Sequence, residues 1–228
     1  FLLAHPEYSI VHCHLNQWCG MVLRGAKRAG VPVRIAHSHT VLPLRGLRNV
    51  VKAFIKTSVN RHATHRFAVS PQAGAWLFGK KAQNGGRVAV LPNAIDVQQY
   101  RFNPQTRAQM RQTLGLTDEI AVLHVGNHRV EKNQPFLLDI FDAFVAAGHK
   151  SRLLQVGKPA GGGIEAYARA KPCRDSVTFL GTRRDVPALL PAADVFVFPS
   201  LSEGFPGAVL EAQACGLPCV VSDVIGEN

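Results

Sequence analysis

Short apolar runs, each closed by glycine or a polar residue and each followed by a helical stretch, constrain this chain more than any other feature. V-F-V-F at 195–198 is one such run, and I-A-V-L-H-V-G at 120–126 another. Further examples fall at 8–14, 33–36, 67–70, 88–91, 152–157 and 177–181. Four to six apolar residues bounded by turn signals fit strands buried on both faces, and their alternation with helical segments calls for parallel sheets. Residues 8–36 hold a strand, a helical stretch over 18–29 and a second strand, which is a βαβ unit. In open parallel sheets ligands collect at the carboxyl ends of the strands, so those ends are where chemistry is sought.

Composition narrows the class. With 228 residues, 46% of them hydrophobic, the chain can bury one or two cores. No run reaches the roughly 18 apolar residues of a membrane span. Five cysteines without a C-x-x-C pair read as small buried residues of a reducing compartment, not as a disulfide frame or a zinc site. The formal charge of +11 is concentrated: residues 1–110 carry fifteen Lys and Arg against Glu7 and Asp96 alone. That half is built to face something anionic. No nucleic-acid recognition motif accompanies it, so nucleic acid is not the expected partner. The stretch 44–66 places Leu47, Val50, Val51, Phe54, Ile55 and Val59 at helical spacing, with Arg45, Arg48, Lys52 and Lys56 on another face. Such a basic amphipathic helix suits the anionic surface of a membrane, and equally suits an ordinary surface helix over a sheet. The chain starts on Phe-Leu-Leu and stops shortly after a strand, and reads as a piece of a longer protein.

Two strand ends offer an anion site. After the run at 195–198 come Glu203, Gly204, Phe205, Pro206 and Gly207, then a helix carrying Glu211, stopped by Gly216 and Pro218. A glycine-rich turn into a helix presents backbone N–H groups to negative charge. After the run at 120–126, Gly126 leads through Arg129 and Lys132 into a helix, again a place for phosphates. The glycines at 161–163 lack the G-x-x-x-x-G-K-[ST] pattern and read as a plain loop. His12/His14 and His37/His39 stand at two further strand ends. Alternate histidines on an extended segment share a face, a workable ligand geometry. No acidic or cysteine ligand accompanies them at a recognised spacing, and the chain contains no D-x-D, so no metal is expected.

The Glu203-to-Glu211 spacing followed by Glu211, Ala212, Ala214, Gly216, Pro218 and Val220 resembles the E-x7-E signature of retaining glycosyltransferase family 4. V-H-C-H and R-I-A-H-S-H-T are similar to segments of its members in capsule and exopolysaccharide synthesis. The resemblance extends from about Tyr8 to Asp223. It implies an α/β chain of GT-B type, with two doubly wound parallel-sheet domains facing a cleft, both incomplete at the chain ends. Residues 1–100 would form the acceptor-side domain, 101–118 the crossover and 119–228 the nucleotide-sugar-binding domain.

The activity implied is transfer of a sugar, with retention, from a nucleotide diphosphate sugar to a hydroxyl acceptor, lipid-linked or saccharide. It would need no cofactor or metal and would take place in the cytoplasm or at the inner membrane face. Catalytic roles fall to His39, with His37 the alternative in register, and to Glu203. Gly126, Arg129, Lys132, Thr182, Glu203, Gly204, Phe205, Pro206, Gly207 and Glu211 would hold the donor, and His14 and His37 would lie on the acceptor side. Two positions depart from the family pattern: Asn127 stands where an arginine is usual, and Ala94 where N-G-I/V-D has glycine. The first motivates the alternative of a non-catalytic nucleotide-sugar-binding protein.

Overall fold

The computed structural model describes residues 1–41, 56–159 and 163–225. They fall into two compact units, one of Phe1–Asn93 with Ser202–Phe205, the other of Ala94–Leu201 with 206–225.

The first unit is a parallel sheet in the order β1 (Ile10–Cys13), β2 (Val33–Ser38), β3 (His65–Ala68), β4 (Ala89–Val90). Its helices are α1 (Cys19–Arg28), α2 (described over 56–62), α3 (Pro71–Phe78) and α4 (Lys80–Asn84). Alternation sorts the strand residues. Cys13, Ala36 and Ala68 go to a core with Leu23, Val59, Ala73 and Leu77 from the helices. Each helix has a local cause: Ser70 Oγ accepts from the Ala73 N–H at 3.2 Å to cap α3, and Pro71 fixes its first turn.

Of the basic helix expected over 44–66, residues 44–55 lie outside the described residues, and the remainder ends at 62, short of the expected stretch. Thr64 stops it. Its hydroxyl accepts from the Arg34 N–H at 2.8 Å while its own N–H donates to the Arg34 carbonyl, so His65 and Arg66 enter the ladder opposite Ile35 and Ala36. Ladder hydrogen bonds outweigh the few tenths of a kcal/mol that helix propensity offers per residue.

The second unit is a parallel sheet in the order β7 (Val177–Gly181), β6 (Ser151–Val156), β5 (Ile120–Val125), β8 (Val195–Phe198), β9 (Cys219–Val221). Strand order reverses between β5 and β8, which makes the crevice above their carboxyl ends the topological switch point. Both faces are covered. Ala121, Leu123, Phe196 and Phe198 meet residues such as Leu189 of α8 (Val186–Leu189), Val209 and Ala212 on one side. Val122 and Val197 meet Leu137, Leu138 and Phe141 of α6 (Gln134–Ala146) and Ala168 of α7 (Gly163–Arg169) on the other. Residues 160–162 of the glycine loop lie outside the described residues.

The stretch expected as a crossover holds α5 (Pro104–Thr113), capped by Asn103, whose side chain accepts from the Thr106 N–H at 2.8 Å. Helix α5 is fastened to this unit through Asp194, the residue before β8. Arg107 donates to Asp194 Oδ1 at 2.6 Å, Arg111 to Oδ2 at 3.1 Å, and the Ala121 N–H to Oδ2 at 2.8 Å. Burial raises the carboxyl pKa, but the Ala121 N–H and the two guanidinium groups overcome it and hold the group below its ordinary value. A depressed folded pKa contributes stability above the ordinary aspartate range and loses it as pH falls through the folded value. Asp194→Ala is therefore expected to lower unfolding free energy by about 1–3 kcal/mol at neutral pH. The deficit should shrink as the wild type is titrated into acid, followed by urea melts at stepped pH.

Candidate functional site

In the second unit the loops following β5, β6, β7 and β8 converge. After β5 the backbone runs along the neighbouring loop: the Gly126 N–H donates to the Val156 carbonyl at 2.8 Å and the His128 N–H to the Lys158 carbonyl at 3.0 Å. The approach is close enough to exclude a side chain at Gly157. A Cβ there would stand 2.0 Å from the Gly126 carbonyl oxygen, and its φ of +155° is one that L-residues rarely adopt. Asn127, which replaces the arginine of the family pattern, closes the same seam: its Oδ1 accepts from the Lys158 N–H at 2.9 Å. On the other flank the Leu201 N–H, beyond β8, donates to the Glu131 carbonyl at 2.8 Å.

These seams surround a cavity of about 420 Å³ lined by Gly126, Asn127, Arg129, Lys132, Gly157, Thr182, Arg183, Ala208 and Glu211, with Val125, Val156 and Val186 as its apolar wall. Five of the expected donor residues, Gly126, Arg129, Lys132, Thr182 and Glu211, are thus brought together although 85 residues separate the first from the last. Residues 130–132 form a turn of 3-10 helix and Asn133 takes a left-handed φ of 53°, which reverses the chain into α6. That turn brings the Lys132 ammonium 4.4 Å from the ring centre of Phe198, with its methylenes against Gly126. Arg183 is held in a two-pronged pair with Asp185, at 2.8 and 2.6 Å. A smaller cavity of about 180 Å³, lined only by apolar groups such as Leu137, Phe141 and Val197, offers nothing to a charged ligand.

Helix α9 (Gly207–Ala214) supplies Ala208 and Glu211 to the cavity. No side chain among the described residues caps its start, and Pro206 enters it in extended conformation, leaving its first amides available to an anion. Burial raises the Glu211 pKa above the ordinary value, against the opposing hydrogen bond donated by Tyr100. Tyr100 escapes sequence reading, because nothing in the local pattern links positions 111 apart. His124 escapes it too. It is buried within β5, donates from Nδ1 to the Val197 carbonyl at 2.9 Å, and is pushed down to about 4 chiefly by desolvation. Its neutral ring floors the Gly126 turn, 3.2 Å from where a Cβ on that glycine would lie.

The remaining expected residues lie in the first unit. Ser202–Phe205 packs there on the chain leaving β2. The Ser202 hydroxyl donates to the Val41 carbonyl, Phe205 packs against the core, and Asn93 Nδ2 donates to the Phe205 carbonyl at 3.0 Å. Gly204 is buried where a Cβ would meet the His39 carbonyl oxygen at 2.1 Å, so no other residue fits. The half-buried Glu203 is thereby held beside the His39–Thr40 backbone. Ala94 takes no left-handed backbone, which removes the strain its replacement of glycine would have implied: Asn16 and Asn133 are the only non-glycine residues with positive φ among those described.

His12, His14, His37 and His39 share one face of β1 and β2, because the parallel register sets His12 opposite Ile35 and Cys13 opposite Ala36. His12 Nε2 lies 3.2 Å from His37 Nδ1, and His14 Nδ1 lies 2.6 Å from His39 Nε2. Burial, then the neighbouring imidazoles, hold His37 down at about 4 and lower His39 as well. The neighbouring strand brings a third imidazole to the pair: His12, His14 and His37 each offer a ring nitrogen within 4.8 Å of the others. Elsewhere in this unit Arg24, Thr57, Ser58, Arg61 and His62 line a cavity of about 520 Å³. The His62 pKa is lowered by desolvation, then by Lys27, Arg61, Arg24 and Arg34, a measure of how concentrated the positive charge is.

Two parallel-sheet units of this kind, one with a basic, glycine-walled crevice at its switch point, define the GT-B class of glycosyltransferase folds. Residues 1–94 match the family model of the glycosyl transferase 4-like domain, and residues 119–228 that of glycosyl transferases group 1. Between them the two domain models take in most of the chain. It is 35% identical over 226 residues to EpsF of Bacillus subtilis, provisionally named a glycosyltransferase, a match spanning 97% of this chain and 59% of that protein. It is 26% identical to the Escherichia coli UDP-Gal:alpha-D-GlcNAc-diphosphoundecaprenol alpha-1,3-galactosyltransferase, over its full length and 61% of the relative. Among solved structures, Anabaena Alr3699/HepE in complex with UDP and glucose superposes with a TM-score of 0.84 at 23% identity, covering 97% of this chain and 61% of that one. The chain therefore spans about three-fifths of the length of these relatives.

The glycine seam gives a direct test. Gly157→Ala is expected to lower the melting temperature, because the Gly126 carbonyl must move. Gly25→Ala in α1, where a Cβ meets nothing within 4 Å, should be neutral or stabilising by about 0.5–1 kcal/mol. Calorimetry of the two variants separates them.

Proposed function

We propose that this chain forms part of a retaining glycosyltransferase that moves a sugar from a nucleotide diphosphate sugar to a hydroxyl of a lipid-linked or saccharide acceptor. The setting proposed is cell-surface polysaccharide or glycolipid synthesis, in the cytoplasm or at the inner membrane face. The observation that carries it is the gathering of Arg129, Lys132, the uncapped start of α9 and Glu211 around one cavity.

Departure of a diphosphate develops negative charge, and fixed cations and dipoles in place before the reaction stabilise it without reorganisation. Lys132 and the α9 amides meet that charge, with Arg129 taking the part of the arginine that Asn127 replaces. Since the protein brings its own cations and the chain has no D-x-D, the diphosphate requires no metal bridge. Glu211 accepts hydrogen bonds from the ribose hydroxyls, Thr182 borders the base, and Glu203 holds the donor sugar and faces its positive anomeric centre. His39, kept neutral by burial and its neighbours, positions the sugar or acceptor, with His14 and His37 beside it. Asn127 has a structural task in holding the β5 and β6 loops together, so its presence does not favour the non-catalytic alternative. The similarity to a relative named for a diphosphoundecaprenol substrate supports a lipid-linked acceptor. The cations around Arg24 and Arg61 support contact with an anionic membrane, to which the stretch 44–66 would contribute.

In the full-length protein, Lys132→Ala should lower kcat by about 10²–10³, the scale of losing one donor to a developing anion. Glu211→Ala should instead weaken donor binding. With its pKa raised, wild-type Glu211 takes up a proton before an ordinary glutamate does. Donor affinity should therefore decline as pH drops toward the glutamate range, and Glu211→Gln should flatten that decline. Initial rates and titration calorimetry check both. An unchanged donor affinity in Glu211→Ala would remove its assigned role.

A further inference from the structure

Four histidines on one face of two adjacent strands form the densest group of metal-ligating side chains among the described residues, and the transfer reading uses only part of it. Their spacing has chemical meaning. Nitrogens bound to one tetrahedral zinc-like ion at roughly 2.0–2.1 Å stand about 3.4 Å apart. His12 Nε2 and His37 Nδ1 are separated by 3.2 Å, at the upper end of the hydrogen-bond range and close to the spacing of two ligands on one centre. His14 completes a set of three, with one ring nitrogen from each residue inside 4.8 Å.

The other pair completes the arrangement. His14 Nδ1 is hydrogen-bonded to His39 Nε2 at 2.6 Å, which fixes the His14 ring and leaves its Nε2 lone pair open. Metal-bound histidines are commonly oriented in this way through their second nitrogen. Phe67 stands edge-on to both His12 and His37, with centroids 5.9 Å away, and holds the two rings nearly parallel, at 7°. His12 and His14 are exposed, so an ion can reach the site.

We propose that His12, His14 and His37 bind one divalent transition-metal ion of the zinc class, with His39 as the outer partner that orients His14. All-imidazole donor sets suit Zn²⁺, Ni²⁺ and Cu²⁺, and the lack of a carboxylate in the set disfavours Mg²⁺ and Ca²⁺. A three-histidine set leaves a fourth position for water or a ligand oxygen. The proposal rests on the register of β1 and β2 and not on the transfer reading, which places His14, His37 and His39 beside the sugar or acceptor.

The test uses full-length protein stripped with chelator, kept reduced with a phosphine, and titrated with ZnCl₂ by calorimetry. X-ray absorption then reads the first shell. The expected result is one ion per chain, a shell of nitrogen or oxygen at about 2.0 Å with imidazole scattering, and no sulfur near 2.3 Å. His12→Ala and His14→Ala remove exposed side chains and should each weaken Zn²⁺ at least tenfold without lowering the metal-free melting temperature. His65→Ala, an exposed histidine outside the cluster, should change nothing. Absence of stoichiometric Zn²⁺ binding, sulfur in the shell from the nearby Cys13 or Cys19, or full binding by the His12→Ala/His14→Ala double variant would overturn the proposal.

Discussion

The contact between Gly157 and the Gly126 carbonyl is the constraint on which the second unit's site depends. A parallel sheet delivers all its strand ends to one edge, but side chains ordinarily keep the loops there apart. Here the absent Cβ lets two chains touch. The hydrogen bonds on either side of that point, from Gly126 to Val156 and from His128 to Lys158, hold the β5 loop in line. Without the seam, Lys132 and Arg129 would be surface cations, strongly hydrated and weakly directed. With it they border the same crevice as Glu211, where a carboxylate already shows the cost of leaving water. Asn127 reinforces the arrangement from the side chain, and Leu201 fastens the opposite loop to Glu131.

The first unit applies the same principle differently. Gly204 again lets backbone meet backbone, this time at the His39 carbonyl, and Asn93 and Ser202 secure the short segment that carries Glu203. Register does the rest. Because β1 and β2 pair in parallel with His12 level with Ile35, histidines 25 residues apart in the chain come within hydrogen-bonding distance.

Much of this was legible in the sequence, for a physical reason. Strands buried on both faces need continuous apolar residues, so runs such as 120–125 and 195–198 announce themselves, and glycines after them mark where a loop must turn tightly. Gly126, Lys132 and Glu211 could be grouped because the chain resembles a family whose members carry such residues together. What local pattern does not encode was missed. The end of α2 is set by Thr64 bonding to Arg34, thirty residues away, which turned His65 and Arg66 from expected helix into strand. The hydrogen bond of Tyr100 to Glu211 and the burial of His124 arise only in the folded chain. The histidines were seen as two pairs. Only the register of the strands makes them one cluster.

The central claim is that the cavity at the β5/β8 switch point receives a diphosphate through Lys132, Arg129 and the start of α9. Titration calorimetry comparing UDP with uridine, and GDP with guanosine, isolates the diphosphate's share of the affinity. The account predicts that one diphosphate binds at least a hundredfold more tightly than its nucleoside, and that most of this margin disappears in Lys132→Ala at unchanged melting temperature. Equal affinities for nucleoside and nucleotide, or a margin untouched by removing Lys132, would contradict it.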